Sequence, residues 1–375
     1  MAVQEIIKNK KYKIDIPIGY SGTKRIRHIE TFYGGKKEAV LRENELKLQL
    51  RNNTYIKKNK MNIEDLMNEW LEAKKSGIEL KTYKSYELWS NKIINSIGSI
   101  KLKDLNVKIL EDFYNDLRTN TTLSPKSIQE IYTTISMALN KAIKWGYIIN
   151  NPNLLIDKPK VKQKEIQCYS PEEVETLIKV LKNEPLKYQA IIMLALDSGA
   201  RRGELTGLTW NDIDFDKSLI NINKTTQYLP GYGIFEKSTK SETSNRVIYI
   251  TDATKQILKK YQFEQYQKRM LLGDKWQNSN RVFTTDYGAD MHPDTPSKIL
   301  EKIIQKYNLK RITFHGLRHT SISLQISSGV QSQIVSKRAG HSSVTITDKI
   351  YSHFFENEFK DVANRMNEFL TVYAK

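Results

Sequence analysis

One cysteine in 375 residues, Cys168, leaves no partner for an internal disulfide and rules out a multi-cysteine zinc site. The six histidines lack metal-ligand spacing such as HExxH. No apolar run approaches the ~18 residues that a transmembrane helix needs. Met1 leads into a short mixed stretch without an apolar signal region. A cytoplasmic protein with no metal, no cofactor and no membrane attachment is therefore expected. Acidic residues are also scarce: 42 Asp/Glu face 60 Lys/Arg, a net charge of +18. An excess of that size points to a polyanionic partner, nucleic acid well before a membrane surface. With 39% hydrophobic residues and apolar periodicity throughout, the chain is globular and long enough for two or three domains.

Three segments follow from the patterns. Residues 1–60 hold 15 Lys/Arg against 6 Asp/Glu, half of the whole excess. Tyr12, Ile14, Ile16 and Ile18 alternate with Lys11, Lys13 and Asp15, the period of a half-buried strand. Gly19 to Gly22 reads as a turn, and Lys24, Arg25 and Arg27 alternate with Ile26 and Ile29 in a second strand. Residues Ala2 to Ile7 supply a third strand, and Lys36 to about Leu50 a helix with Ala39, Leu46 and Leu50 on its apolar side. Such a sheet either has a solvated basic face or lays Lys11, Lys13, Lys24, Arg25 and Arg27 into a DNA groove; coincidence of charge and strand pattern favours the groove. Residues 61–155 read as all-helical. Ile63, Met67, Trp70 and Leu71 share a face, and Ser124-Pro125 starts a helix striped by Ile128, Ile131, Tyr132, Ile135 and Leu139. Lys81, Lys84, Lys126 and Lys141 in this segment either touch phosphates or are ordinary surface lysines. A linker, residues 156–169, leads to the capping box Ser170-Pro-Glu-Glu173, which opens a third domain over 170–375. That domain reads helical to 215, as short β segments around Ile220, Ile222, Ile234, Val247 and Tyr249, and then mostly helical again.

The third segment holds an unusual set of basic groups. Arg201, Arg202 and Glu204 follow the small residues Ser198 and Gly199, and Arg246 follows Lys240. His315 and Arg318, three apart, share a helical face, with His341 and Tyr351 close behind. Singly, such residues are salt bridges, structural histidines and packing tyrosines. Converging on one phosphate, they make a phosphoryl-transfer site that stabilises transition-state charge with cations.

The run Asp197-Ser-Gly-Ala-Arg201-Arg-Gly-Glu204-Leu-Thr-Gly-Leu-Thr-Trp210-Asn-Asp212-Ile-Asp214 resembles the first signature of the tyrosine recombinase (phage integrase) family. His315-Gly-Leu-Arg318-His319-Thr, Ala339-Gly340-His341-Ser-Ser and Tyr351-Ser-His353 resemble its second. Ser198 stands where the family often has Thr, and Arg338-Ala339 where Leu commonly precedes Gly-His; neither is a catalytic position. The resemblance implies that Arg201 and Arg318 grip the scissile phosphate, for which planar guanidinium forks suit better than lysine. It implies that Tyr351 attacks phosphorus to form a 3′-phosphotyrosyl link and free a 5′-hydroxyl. His315 is then the base and His341 a hydrogen-bond donor to the phosphate. Lys240 protonates the leaving oxygen; Lys237 is an alternative, and the spacing to Arg246 favours Lys240. Glu204 positions Arg201 or a neighbour, while His319 and His353 are structural. The first two segments resemble the arm-binding and helical core-binding (SAM-like) domains of phage and conjugative-transposon integrases.

The expected fold is multidomain and mainly α: a three-stranded sheet with one helix, a helical domain, and a mixed, mostly α catalytic domain. The expected function is site-specific recombination of a mobile element, by integration and excision through a Holliday junction. Its partners are double-stranded DNA at core and arm sites, three further copies in a homotetramer, an excisionase and a host DNA-bending protein. A housekeeping dimer-resolving recombinase is an alternative; it lacks the N-terminal extension. A topoisomerase shares the tyrosine chemistry but relaxes plasmids without attachment sites. A DNA-binding protein that has lost catalysis conflicts with the intact residue set. Phe355, Phe359, Val362, Met366 and Phe369 fall on one face of a C-terminal helix, which packs either on its own domain or in exchange on a neighbour.

Overall fold

The computed structural model describes residues 3–21, 23–51, 60–161, 167–238, 245–341, 343–345, 348 and 366. The chain divides into two compact units, residues 1–163 and 164–375.

The first unit opens with an antiparallel sheet of β1 (Val3–Ile7), β2 (Lys11–Ser21) and β3 (Lys24–Tyr33), followed by α1 (Lys36–Arg51). Alternation explains the packing: Ile14 and Ile16 are buried together with Leu46 of α1. The opposite face of the sheet is therefore left to Lys11, Lys13 and Asp15. Where a turn is expected at Gly19–Gly22, the strands instead continue to the pair Ser21↔Lys24. The irregularity is a register shift between Pro17 and Gly19. Proline has no N–H for the ladder, and Gly19, at φ +149°, takes a backbone conformation that side chains disfavour.

Four helices follow: α2 (Ile63–Lys75), α3 (Leu80–Ile97), α4 (Val107–Thr119) and α5 (Pro125–Lys144). Their starts are written locally. Asn62 accepts from the Asp65 N–H while Asp65 caps in return, and Ser124 accepts from the Ser127 N–H ahead of Pro125. Both predicted stripes are buried, around a fully enclosed Trp70. One polar network lies inside this core. Asn153, fully buried beyond α5, accepts from Tyr114 Oη at 2.6 Å and donates to the Tyr132 carbonyl at 3.1 Å and Ser136 Oγ at 2.6 Å. It fastens the chain leaving α5 back onto α4 and α5.

The second unit comprises α6 (Pro171–Leu181), α7 (Leu186–Ser198), α8 (Arg202–Gly207), β4 (Ile213–Asp214), β5 (Leu219–Ile222), β6 (Lys224–Leu229), β7 (Gly233–Ser238), β8 (Arg246–Tyr249), α9 (Asp252–Leu272), α10 (Thr295–Lys306), α11 (Phe314–Ser327) and α12 (Ser332–Ala339). The strands form a β4-β5-β8 sheet and a β6-β7 hairpin. Helix α7 is apolar nearly all round, as a helix must be when neighbours cover it, and α6, α8, α9, α10 and α11 all touch it. Tyr169, expected in the linker, is instead packed into this unit: its N–H donates to Thr320 Oγ1 at 3.0 Å and its hydroxyl to the Lys310 carbonyl at 2.7 Å. In β8 the apolar markers Val247 and Tyr249 lie outside, and Arg246 and Ile248 point inward. Among the described residues no helix is long and apolar enough to cross a membrane.

Replacing Asn153 by Ala removes partners from Tyr114 Oη, the Tyr132 carbonyl and Ser136 Oγ together, so stability should drop by about 3 kcal/mol. Urea unfolding of the variant measures it. A loss below about 1 kcal/mol would mean that water replaces the amide without penalty.

Candidate active site

The site grows from the end of α7. Gly199 closes that helix in the left-handed conformation, at φ +61°, and the chain turns into Arg201, the extended residue that opens α8. Three residues on, Glu204 is 3% exposed. Its Oε2 accepts from the Arg201 main-chain N–H at 2.8 Å, and its Oε1 from Arg201 Nη1 at 3.0 Å. Arg246 reaches the same carboxylate from β8, Nη1 to Oε1 at 3.2 Å and Nη2 to Oε2 at 2.8 Å. Burial pushes the Glu204 carboxyl up, but the hydrogen bonds and charge of Arg246, then Arg201, outweigh it and hold it below the usual carboxylate range.

Three arginines from three elements then hold three consecutive carbonyls at the end of α12. Arg246 Nε donates to the Arg338 carbonyl at 2.8 Å, Arg318 Nη1 to Ala339 at 2.7 Å, and Arg201 Nη2 to Gly340 at 2.8 Å. Arg318, 2% exposed on α11, also donates to the Gly199 carbonyl at 2.7 Å. His341 follows directly. Arg338 itself is tied down on the outside, to the Tyr249 carbonyl at 2.9 Å and to Asp197 Oδ1 at 3.2 Å.

His315, His319 and His341 share this basic surrounding. Burial first, then the charges of Arg318 and Arg201, lower the pKa of His315. Burial with the same arginines and the other two histidines pushes His341 down to about 4. Burial, His315 and Arg318 bring His319 to about 4, its ring 4.7 Å from that of His315 and edge-on. Arg201, His315, Arg318 and His341, predicted from sequence, thus act on one another electrostatically, and Glu204 joins them through Arg201. Among the described residues no three His, Cys, Asp or Glu side chains gather to hold a metal. The resulting surface can bind an anion through cations and neutral imidazoles.

Two predicted residues, Lys240 and Tyr351, lie outside the described residues, as do Phe355, Phe359, Val362 and Phe369 of the tail; Met366 is helical and exposed. Lys237 is on β7, opposite Thr225 of β6. The glycines 203 and 207 bring that hairpin close: a Cβ at Gly203 would meet Thr225 Oγ1 at 2.5 Å, and one at Gly207 the Thr225 Cα at 3.3 Å. In the first unit, Lys81 and Lys126 line one groove between α3 and α5, beside Tyr86, Trp89 and Gln129. Lys84 is paired instead with Glu87 at 2.7 Å, and Lys141 sits over the Trp145 ring. On the sheet, Arg27 and Lys13 both approach Asp15, at 2.6 and 3.8 Å, and Lys11 lies over Tyr33. Arg25 is exposed, and the side chain of Lys24 lies outside the described residues. Sequence reading missed the grips of Arg246 and Arg338; their signal was a buried-strand position for one and an unexpected cation before Gly-His for the other.

The histidine shifts fix a sign. An imidazole of lowered pKa stays neutral in the folded chain while the unfolded chain takes up its proton near pH 6.5. Stability present above pH 6.5 is therefore lost as pH falls towards 4. Thermal unfolding at pH 7 and pH 5 should show a steeper loss for the wild type than for His319→Gln; equal slopes would mean that His319 is not held neutral.

Residues 168–358 match the phage integrase family, and residues 62–118 its N-terminal SAM-like domain. A XerC-like tyrosine recombinase of Caldanaerobacter subterraneus is 27% identical, over 96% of this chain and 97% of that protein. The ICEBs1 integrase of Bacillus subtilis is 25% identical, over 99% and 100%. The Tn1549 transposon integrase in complex with transposon right end DNA shares the fold with a TM-score of 0.70, at 19% identity over 81% of this chain and 100% of that one. A lambda integrase tetramer bound to a Holliday junction does so with a TM-score of 0.59, at 18% identity over 92% and 93%. The family match takes in just over half of the chain, including every arginine and histidine of the cluster; the chain belongs to the phage integrase family and is a tyrosine recombinase, an enzyme of DNA cleavage and religation.

Proposed function

We propose that this recombinase integrates and excises a mobile element, and that its chemistry runs through Tyr351. The observation that carries the reading is the convergence of Arg201, Arg318, His315 and His341 on one basic surface whose acidic member, Glu204, is already occupied by arginines. A phosphodiester seated there meets two guanidinium forks, which stabilise the extra charge of a pentacoordinate phosphorus. Free tyrosine has a pKa of about 10, so its hydroxyl needs a base, and a neutral His315 can take that proton. The Tyr351 oxygen bonds to phosphorus as the bond to the 5′ oxygen breaks, and Lys240 supplies the proton to that oxygen. Attack by a 5′-hydroxyl from the partner duplex reverses the step and releases Tyr351. Two such exchanges pass through a Holliday junction.

The other segments take supporting roles in this proposal. The basic sheet of residues 1–60 binds arm DNA and the helical segment of residues 61–155 binds the core site through the Lys81–Lys126 groove. The four copies assemble by the tail, residues 356–375, of one copy docking on the next. An excisionase and a host DNA-bending protein set direction, and the reaction takes place in the cytoplasm with the DNA.

Tyr351→Phe should bind site DNA and form no covalent complex, and EDTA should leave wild-type cleavage intact. A covalent adduct from the Phe variant, or loss of cleavage on chelation, refutes the mechanism. Removing residues 1–60 should impair integration more than cleavage of a core-site duplex, while removing 356–375 should spare binding to one site and abolish the tetramer seen by light scattering on DNA. Full integration without residues 1–60, or a tail-less protein that unfolds without DNA, contradicts these roles.

A further inference from the structure

Arg246 begins β8, directly after the segment that carries Lys240, and has no part in the chemistry proposed above. It is 8% exposed. Its guanidinium faces two elements at once. Nη1 and Nη2 fork onto both oxygens of Glu204, and Nε holds the Arg338 carbonyl at the end of α12. Gly340 seats against the same group: a Cβ there would lie 2.8 Å from Nη1 and 3.0 Å from the central carbon. The two arginines on Glu204 are not equivalent. Arg246 is enclosed, whereas the Arg201 side chain is 42% exposed, with Nη2 on the Gly340 carbonyl at the rim.

This asymmetry divides the work. A carboxylate 3% exposed needs a cation, because its charge is costly without one. With Arg246 supplying it from inside, Arg201 gives Glu204 only Nη1 and its main-chain N–H. Without Arg246 the same carboxylate would claim Arg201 as its sole counter-ion and draw the fork inward, away from any incoming anion.

We propose that Arg246 is a positioning residue for strand cleavage: it neutralises Glu204 from the buried side and so leaves the Arg201 guanidinium directed at the scissile phosphate. It touches no reacting atom. The proposal rests on the reading of Arg201 as a phosphate ligand.

The test is single-turnover cleavage of a synthetic duplex of the element's own junction sequence, nicked so that cleavage is irreversible. The scissile group is either the normal phosphate or a methylphosphonate, which carries no charge for an arginine to neutralise. Arg201→Ala should lose about 100-fold on phosphate and recover most of it on methylphosphonate. Arg246→Lys should lose about 30-fold on phosphate and recover in the same way. Added to Arg201→Ala, it should cost little more, because both changes act through one group. Arg246→Gln removes the charge of the fork and leaves the left-handed Gly340, whose carbonyl holds Arg201, untouched; it should show the same substrate dependence and decides the matter if Arg246→Lys does not fold. An equal loss on both substrates, or a loss that multiplies with that of Arg201→Ala, overturns the proposal. Undiminished cleavage by Arg201→Ala overturns the reading of Arg201 itself, a result distinct from either.

Discussion

A single buried carboxylate organises the catalytic unit. Glu204 has two oxygens, and four N–H groups from Arg201 and Arg246 converge on them. An ionised group so enclosed is tolerated only because its partners are charged and well aligned. The pairing welds the α7–α8 turn to β8, and the same two arginines reach on to α12. Helix α12 in turn sets where His341 stands. Removing the carboxylate would leave two buried or half-buried guanidinium groups facing each other with nothing between them.

The close approach of the β6-β7 hairpin depends on a different economy, that of space. Gly203 and Gly207 lie one helical turn apart on α8, on the side that meets β6; Gly203 has no room for a methyl group, and one at Gly207 would press tightly on the β6 backbone. The hairpin is thereby carried to the same short helix that Arg201 opens. Close backbone approach and a buried ion pair therefore both act within the same six residues, Arg202–Gly207.

Much of this was legible in the sequence, for reasons that differ by element. The stripes of α2 and α5 and the alternation in β2 are one-sided patterns, and one-sided patterns specify a face. Capping residues at 124 and 170 marked helix starts because the side chain bonds its own neighbours. The cluster of Arg201, His315, Arg318 and His341 was legible only through resemblance, since nothing in their spacing states that 201 and 340 meet. Arg246 was read as a spacing mark because its partners lie 42 and 92 residues away. Val247 and Tyr249 marked the strand β8, but its inner face belongs to Arg246 and Ile248. The turn read over Gly19–Gly22 begins two residues later, after Ser21, because a bulge and a turn use the same residue types.

The row of carbonyls at 338, 339 and 340 has one more consequence. Without DNA, these oxygens occupy donors of Arg246, Arg318 and Arg201, so the arginines are already solvated by the chain itself. A phosphate that recruits Arg201 Nη2 or Arg318 Nη1 displaces a carbonyl, and the gain is the difference between two hydrogen bonds rather than the whole of one. Anion capture there would exchange a neutral acceptor for a charged one, and the gain would be smaller than at a guanidinium with no acceptor to give up. A site built this way holds its forks in place before any anion arrives, at the cost of part of the affinity.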